Sequence, residues 1–282
     1  MEISASEVKR LREKTGAGMM ECKNALVSAG GDFDGAEKIL KEKGLAALEK
    51  RSGRATNEGK IFVKIRDNTA VLVELTSETD FVARNPEFAA LGEAITGRIL
   101  EKGYTEPNDE LAGMVNDLAT KIRENMSLKR IRILKAAAGE YLTQYIHGDG
   151  NIGVVIKMGS DKPEVFDRED IKTLAFNLAL HIAAFNPLAL DRAGVNAEFL
   201  RDQEDIFRKQ MEGDEKIQGK PEKVIEGILK GKISKYLGDI CLLEQGYVKD
   251  EKLTVSQVLA DYGKQTGARL SVNDYVYFKV GQ

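Results

Sequence analysis

The side chains that most often carry out covalent or metal chemistry are few and scattered in this chain. It contains two histidines, His147 and His181, and two cysteines, Cys22 and Cys241. Neither cysteine belongs to a CxxC pair, and the sequence has no HExxH, GxSxG or Walker motif. Metal, nucleophilic and phosphate chemistry depend on such groupings, so no motif supports an enzyme. Carboxylates cannot be paired from sequence alone, which leaves an acid–base site formally open.

Each of these residues also has a structural interpretation. His181 lies within an apolar helical pattern, which is typical of a core histidine whose ring nitrogens are hydrogen-bonded. His147 ends a predicted strand beside a glycine turn, where polar side chains tend to contact partners. The cysteines are typical of reduced, partly buried thiols in the cytosol. Gly16 and Gly18 lack the preceding strand and the Gly-Lys-Ser/Thr of a phosphate loop, so they indicate a tight turn between helices.

Composition favours an ordinary soluble protein with two or three compact parts. The chain has 282 residues, of which 42% are hydrophobic and 31% charged. Its net charge of −3, and the absence of aromatic residues among its basic runs, disfavour nucleic acid as a partner. No signal peptide is evident, and no apolar run approaches the roughly 20 residues of a membrane span. We therefore expect a cytoplasmic protein that does not cross a membrane.

The first 50 residues or so predict three short helices with a thin shared core. Ser4 or Ser6 is expected to cap the first helix, and Asp32 or Asp34 the third, which Gly44 would end. Such a small unit is more often a binding module than a catalyst. The charged, glycine-containing segment 46–59 is expected to be a helix tail followed by a linker.

The middle of the chain predicts two similar halves, each a β-hairpin followed by a helix. The predicted segments are strands 60–66 and 69–75 with a helix from Pro86, and strands 141–147 and 152–158 with helix 167–185. Helix 109–125 and strand 130–137 are expected to lie between the two halves. Strands mixed with helices in this way favour an α+β core.

The last third predicts a helical hairpin and a final helix and strand. Amphipathic helices 197–211 and 224–237 flank a polar tip, Gly213–Pro221, and a strand at 274–280 ends the pattern. The lysines of the hairpin are expected to face solvent.

One stretch, Glu74–Arg84, changes from an apolar strand to a polar segment that carries a single large aromatic residue, Phe81. Pro86 biases Asn85 away from helical backbone angles, so Phe81 is expected in a short turn between a strand and a helix. A lone aromatic residue after a strand most often fills the core. Phe81, however, lies between polar pairs and off the preceding alternation, which favours an exposed contact residue.

Two motifs in this chain resemble signatures of the bacterial elongation factor Ts family. The segment Thr76–Arg84 (TSETDFVAR) resembles the second signature, in which Asn usually replaces Thr76, and Leu11–Leu26 (LREKTGAGMMECKNAL) resembles the first. The resemblance covers essentially the whole chain. It implies an α+β protein with a ubiquitin-associated-like three-helix module, a duplicated core, a helical-hairpin protrusion and a C-terminal module. The expected bounds are 1–52, 53–140, 141–186 continued at 238–262, 187–237 for the protrusion, and 263–282.

The resemblance also implies a function that composition and spacing do not reveal. Members of the family are nucleotide-exchange factors that bind elongation factor Tu and perform no covalent chemistry. The expected residues that displace Mg²⁺ from the partner are Thr79, Asp80, Phe81 and Val82; those that dock on it are Met19, Met20, Lys23 and His147. One methionine of the pair is expected to face the core. No cofactor or metal is implied for this chain itself.

Three points stay open at this stage. The family usually has Arg where Asn151 stands and Pro-Phe where Gly246-Tyr247 stand, so a charge contact from the turn at 148–151 cannot be carried over. The protrusion serves dimer contacts in some members, which leaves self-association open. Composition fits a non-catalytic adaptor as well as it fits an exchange factor, and only the resemblance separates the two.

Overall fold

The computed structural model describes residues 3–213, 217 and 220–282. The chain divides into two compact units. One comprises Met1–Lys135, Ile146–Gly153 and Phe278–Gln282, and the other comprises Ala136–Tyr145 and Val154–Tyr277. Helices and strands are mixed in the chain, and a helical module precedes a sheet-containing core, which confirms the predicted α+β class.

Three helices form the first module: α1 (Ala5–Thr15), α2 (Met19–Ser28) and α3 (Phe33–Glu49). Ser4 caps α1 in a reciprocal capping box with Glu7, and Asp32 caps α3 by accepting the Gly35 N–H at 2.9 Å. These caps settle both alternatives left by the sequence. The small core joins apolar residues of all three helices: Val8, Leu11, Cys22, Ala25, Leu26, Ala36 and Leu40.

The first sheet is antiparallel, in the order β1-β2-β3. Its strands are β1 (Glu58–Arg66), β2 (Thr69–Ser77) and β3 (Met126–Lys135), and the helices of this unit are α4 (Asp80–Ala83), α5 (Pro86–Lys102) and α6 (Asp109–Ile122). Asp67 adopts φ 53° in the hairpin turn, which suits the left-handed geometry of a two-residue connection. The predicted hairpin is therefore confirmed.

Helix α5 packs on the sheet through apolar residues that recur at helical spacing. Phe88, Ile95 and Ile99 are fully buried, and Leu91 and Leu100 are partly buried against the same core. Between them Gly92 lets the Phe62 ring approach closely, because a Cβ at Gly92 would lie 2.3 Å from the ring atoms.

The second sheet has the order β4-β5-β8. Its strands are β4 (Glu140–His147), β5 (Ile152–Ser160) and β8 (Leu270–Lys279), and the remaining elements are α7 (Glu169–Phe185), α8 (Ala197–Glu212), α9 (Glu222–Ile240), β6 (Gly246–Tyr247), β7 (Asp250–Thr254) and α10 (Val255–Thr266). The β4-β5 hairpin is followed by α7 as the β1-β2 hairpin is followed by α5, and both helices have 17 residues. The order of the predicted repeat is confirmed.

Helices α8 and α9 lie in the predicted hairpin positions and share a small apolar core. Its buried members are Met211, Ile217 and Leu229. Of the predicted polar tip, Gly213–Pro221, residues 214–216, 218 and 219 lie outside the described residues.

Several boundary predictions are wrong; the terminal strand, for example, begins at Leu270 rather than Asp274, and three others lie around α3, α6 and β3. Helix α3 continues past Gly44 to Glu49, because Leu48 is buried in the core of the sheet and Gly44 faces Thr120 across a close contact. Helix α6 ends at Ile122 rather than Asn125, because Arg123 caps it in the left-handed conformation, φ 69°. The following strand begins at Met126, four residues before its predicted start.

The last residues of the chain complete the first unit. Glu74 on β2 is buried; it accepts the Arg130 Nε–H at 2.6 Å and the Gly281 N–H at 2.9 Å. The Arg130 guanidinium lies 4.0 Å from the Phe278 ring centroid and donates to the Lys279 carbonyl at 3.0 Å. This buried carboxylate is thus satisfied by partners from β3 and from the C-terminal segment.

Candidate functional site

A single helical turn presents Phe81 between β2 and α5. Thr79 caps this turn, α4, because its hydroxyl accepts the Val82 N–H at 3.4 Å. Asn85 then caps α5 by accepting the Glu87 N–H at 2.8 Å, and Pro86 takes the first helical position. The predicted turn is therefore an ordered helix of four residues, capped by Thr79 at its start and followed directly by the Asn85 cap of α5.

Phe81 is exposed, whereas the next two residues, Val82 and Ala83, are buried. Phe81 is 81% exposed, the largest exposed fraction among the large apolar side chains of the described residues. Val82 and Ala83 are buried in the core beneath the sheet. The interpretation of Phe81 as a core residue is therefore wrong. A phenylalanine held outward on a rigid turn has the geometry of a contact residue, because binding would bury its ring at little ordering cost.

Polar groups surround the base of this aromatic side chain. The Asp80 carboxylate lies 3.3 Å from the Arg84 guanidinium, a largely exposed pair one helical turn apart, which contributes little to stability. Thr79 donates its backbone N–H to Glu124 Oε2 at 3.1 Å, and its hydroxyl lies 2.9 Å from Glu124 Oε1. Asp80 is thus half-buried beside Phe81 with its carboxylate paired to Arg84, while Thr79 is bonded to Glu124.

Glu78 holds the other side of the same turn. It accepts the Asn125 N–H at 2.6 Å and pairs with Arg54 at 3.1 Å. The Asn125 N–H, and after it the Arg54 guanidinium, hold the pKa of Glu78 below its ordinary value. The carboxylate therefore stays ionised and keeps its hydrogen bonds at neutral pH.

The candidate docking residues of the first module form an exposed face of α2. Met19 is 43% and Met20 64% exposed, and Lys23 is exposed beside them. The prediction that one methionine faces the core is wrong, because Cys22, Ala25 and Leu26 already fill that side of the helix.

Sequence reasoning missed one member of this face, Val27, which is 58% exposed. Its spacing from Met20 and Lys23, seven and four residues, places all three on one side of a helix. That spacing was the signal that could have found it.

His147 lies at the tip of the β4-β5 hairpin and is exposed. Gly148 and Gly150 both adopt positive φ, 58° and 100°, in the turn that follows. The turn is tied down through its backbone, since the Gly150 carbonyl accepts the Ile61 N–H at 2.8 Å and the Asn151 carbonyl accepts the Val280 N–H at 3.0 Å. His147 belongs to the same compact unit as Phe81 and α2.

His181 is a core residue, as the sequence predicts. It is fully buried and accepts the Val248 N–H on Nδ1 at 3.1 Å, and Nε2 lies 3.0 Å from Gln245 Oε1. Since Nδ1 accepts, Nε2 carries the proton and donates it to Gln245. Burial lowers the pKa of His181, although the hydrogen bond to Gln245 opposes this change.

Neither a metal-binding cluster nor a membrane-spanning helix occurs among the described residues. No group of three or more His, Cys, Asp or Glu side chains among them could hold a metal ion. No helix within these residues has the length and apolar character needed to cross a membrane. Both cysteines are buried and unbridged.

The chain is similar along its length to proteins of one known family. The family model described as Elongation factor TS matches residues 78–282. The chain is 50% identical over 281 residues to elongation factor Ts of Treponema denticola, an alignment that covers 100% of this chain and 99% of that one. The chain belongs to the elongation factor Ts family. It is accordingly a translation elongation factor.

Other relatives agree along the full length. Elongation factor Ts of Borrelia hermsii is 41% identical over 282 residues and covers 100% of both chains. That of Clostridium acetobutylicum is 39% identical over 293 residues and covers 99% of this chain and 93% of its own. The alignments include the first module, which lies outside the residues that the family model matches.

The departure from the usual family signature at Thr76 is accommodated inside the first unit. The buried Thr76 hydroxyl lies 2.9 Å from the Thr56 hydroxyl and 3.2 Å from the Ser127 carbonyl oxygen. Thr76 therefore supports the base of the Phe81 turn without reaching the surface.

Proposed function

We propose that this chain binds elongation factor Tu carrying GDP and promotes the release of GDP, so that GTP can be loaded. The observation that carries the proposal is the outward Phe81 on a braced turn, in a chain of the elongation factor Ts family. The activity involves no covalent chemistry and no cofactor of its own. It would take place in the cytoplasm, where translation elongation occurs.

The physical basis is differential binding. An exchange factor accelerates nucleotide release by binding most tightly to the nucleotide-free state of its GTPase. By linkage, it weakens nucleotide binding by the same factor by which nucleotide weakens its own binding. Every contact that forms only in the nucleotide-free state contributes to this factor.

Phe81 and Asp80 have the properties needed for such state-dependent contacts. The exposed ring of Phe81 would enter an apolar cleft of the partner and separate elements that close around the nucleotide. The carboxylate of Asp80, beside it, would redirect polar groups that hold Mg²⁺ in the partner. Loss of that ion removes positive charge from the phosphates and weakens their binding.

The exposed face of α2 and the exposed His147 would dock the chain on its partner. Met19, Met20 and Val27 offer an adaptable apolar surface, and Lys23 adds a charge at its edge. Contacts that form equally in both nucleotide states raise affinity without raising the maximum rate of release. We therefore assign positioning on the partner to α2 and His147, and displacement of the nucleotide contacts to the α4 turn.

Phe81→Ala tests the proposal. Burying a phenylalanine ring stabilises a complex by about 1.5–3 kcal/mol, which corresponds to roughly 10- to 150-fold in an equilibrium or a rate. The measurement is stopped-flow release of fluorescent GDP from elongation factor Tu of the same source. The wild-type chain should accelerate release strongly, and Phe81→Ala should lose most of the acceleration with an unchanged melting temperature, because the ring makes few contacts in the free chain.

Leu188→Ala is the matched control, because Leu188 is also an exposed large apolar residue but lies in the other unit. It should accelerate release as the wild type does. Binding to elongation factor Tu without acceleration by the folded wild type would replace exchange with an adaptor function. Equal acceleration by wild type and Phe81→Ala would keep the function and refute the role of Phe81.

A further inference from the structure

Three consecutive residues after α6 hold the Phe81 turn from behind. We propose that Glu124 is a positioning residue for nucleotide exchange, which anchors the α4 turn and, with Arg123 and Asn125, joins it to α2. The inference rests on the proposed function and adds to it a group that touches neither the partner nor the nucleotide. The evidence is a set of hydrogen bonds that runs in both directions between two loops.

The first half of this set fixes the start of α4. The half-buried Glu124 carboxylate accepts the Thr79 N–H at 3.1 Å and receives the Thr79 hydroxyl at 2.9 Å. The same hydroxyl oxygen accepts the Val82 N–H at 3.4 Å, so it is held on the donor and the acceptor side at once. Hydrogen bonds to an ionised carboxylate are stronger than neutral ones. Phe81 lies between Thr79 and Val82, the two residues that this arrangement fixes.

The second half runs in the opposite direction. The Asn125 N–H donates to Glu78 Oε1 at 2.6 Å, so residues 78 and 79 exchange hydrogen bonds with residues 124 and 125. One hydrogen bond runs from Thr79 to Glu124 and the other from Asn125 to Glu78. Because the two bonds are neighbours and have opposite donors, together they resist both sliding and rotation of one loop against the other. We call this four-residue arrangement, Glu78, Thr79, Glu124 and Asn125, the loop clasp.

The segment that carries one side of the loop clasp also holds the docking helix. The Arg123 guanidinium pairs with the carboxylate of Glu21, which follows Met20 directly on α2. Arg51 donates to the Arg123 carbonyl at 2.6 Å, and Asn125 Nδ2 donates to the Arg54 carbonyl at 2.8 Å. The Arg123–Asn125 segment thus contacts α2, the linker and the Phe81 turn.

The backbone conformation of Arg123 allows this segment to contact α2, the linker and the Phe81 turn. Its left-handed conformation, φ 69°, reverses the chain at the end of α6 and is uncommon for a residue other than glycine. A strained conformation that persists must be stabilised by its surroundings, and the contacts of Arg123, Glu124 and Asn125 provide that stabilisation.

The functional consequence is a fixed orientation for Phe81 before the partner is met. Without the loop clasp the turn would sample other orientations, and only the competent fraction could displace the nucleotide contacts. Docking through α2 would be unchanged. Loss of Glu124 should therefore lower the maximum rate of GDP release and leave the half-saturating concentration of the chain nearly constant.

The experiment measures fluorescent GDP release over a range of concentrations of the full-length chain. Glu124→Ala should lower the maximum rate about tenfold, the size expected for hydrogen bonds to a charged group, and change the half-saturating concentration by less than about twofold. Thr79→Val, which keeps the shape of the side chain without its hydroxyl, should also lower the maximum rate.

A double-mutant comparison separates positioning from general destabilisation. If Glu124 acts through Phe81, Glu124→Ala should reduce the rate by less than about twofold in a Phe81→Ala background. An equal reduction in both backgrounds would overturn the inference. Should Glu124→Ala fail to fold, Glu124→Gln replaces it, because the amide keeps the shape and loses the charge.

Amide hydrogen exchange in the free chain tests the loop clasp without elongation factor Tu. Amides of residues 78–84 should exchange faster in Glu124→Ala than in the wild type, while those of α5 stay protected. Unchanged exchange at 78–84 would overturn the inference whatever the kinetics show. In a further outcome, the wild type releases no GDP while amide hydrogen exchange at residues 78–84 is still faster in Glu124→Ala. That result would refute the proposed function and leave the loop clasp established.

Discussion

The buried imidazole of His181 makes the stability of this chain depend on pH in a range where few other groups titrate. Its Nδ1 accepts a backbone N–H and its Nε2 donates to Gln245, so the neutral ring is fully hydrogen-bonded and a second proton would break the contact with Val248. Burial lowers the pKa of His181 in the folded chain. The unfolded chain therefore binds this proton more readily than the folded chain does.

The sign and the size follow from linkage. Stability rises with pH wherever the unfolded state binds more protons, so the contribution of His181 is present above its unfolded pKa of about 6.5 and is lost as pH falls below it. Protonation of the unfolded chain alone favours unfolding about tenfold between pH 7.5 and 5.5. This is the upper limit of the effect, and it corresponds to a loss of ~1.4 kcal/mol in the free energy of unfolding.

The assay is urea unfolding followed by circular dichroism at pH 7.5, 6.5 and 5.5, in wild type and in His181→Gln. The variant will be less stable at every pH, because it alters a buried hydrogen-bonded site. The decisive quantity is the difference between the two pH dependences, in which all other titrating groups cancel. The fall in stability between pH 7.5 and 5.5 should be smaller in the variant than in the wild type by the contribution of His181. Equal pH dependences in both proteins would refute the reasoning about His181.

Two other predictions concern the packing of α5 and the docking face of α2. Gly92→Ala should destabilise the chain by about 1–3 kcal/mol, because its Cβ would lie 2.3 Å from the buried Phe62 ring. Gly97→Ala should instead stabilise the same helix by up to ~1 kcal/mol, because a Cβ at this position meets nothing within 4 Å. Urea unfolding checks both, and a Gly92→Ala chain as stable as Gly97→Ala would contradict the packing. Met20→Asp should raise the half-saturating concentration in GDP release about tenfold at an unchanged maximum rate, whereas Met20→Leu should behave as wild type. If Met20→Asp lowered the maximum rate and left the half-saturating concentration unchanged, a docking role would be contradicted.

Local patterns in the sequence were sufficient to predict most of the elements. Alternation and helical spacing predicted both hairpins and the long helix that follows each of them. These patterns arise because each element buries one face, which the spacing of apolar residues records directly. The caps at Ser4 and Asp32 were predicted as alternatives for the same reason, since capping is a local interaction.

Boundaries and long-range contacts were not predictable in this way. Gly44 is a helix stop by its type, but the close approach of Thr120, 76 positions further along the chain, makes it an interior residue of α3. The left-handed Arg123 carries no sequence signal, because its conformation is stabilised by contacts with Arg51 and Glu21. The short β6-β7 ribbon was also missed, since strands of two and five residues give too little alternation to detect.

The candidate site shows the same division. The polar context of Phe81 favoured exposure, which the structure confirms, and the motif pointed to Thr79 as a surface residue beside it. Thr79 instead faces Glu124, a residue 45 positions away, and neither Glu124 nor Asn125 belongs to any motif. Glu124 and Asn125 support the site through contacts with a distant segment of the chain. Such contacts leave no periodic pattern in the sequence, so they could not be predicted from it.

The buried carboxylate of Glu74 has a consequence for how the chain is made on the ribosome. One of its hydrogen-bond donors, the Gly281 N–H, lies 207 positions further along the chain. At roughly 5–20 residues per second, the ribosome needs about 7–30 s to proceed from Lys135 to the last residues of this unit. Throughout that interval β2, which leads to the Phe81 turn, lacks one of its closing partners. The apolar core of the first unit can therefore form early, whereas the buried Glu74 carboxylate gains its full set of hydrogen bonds only when synthesis is nearly finished.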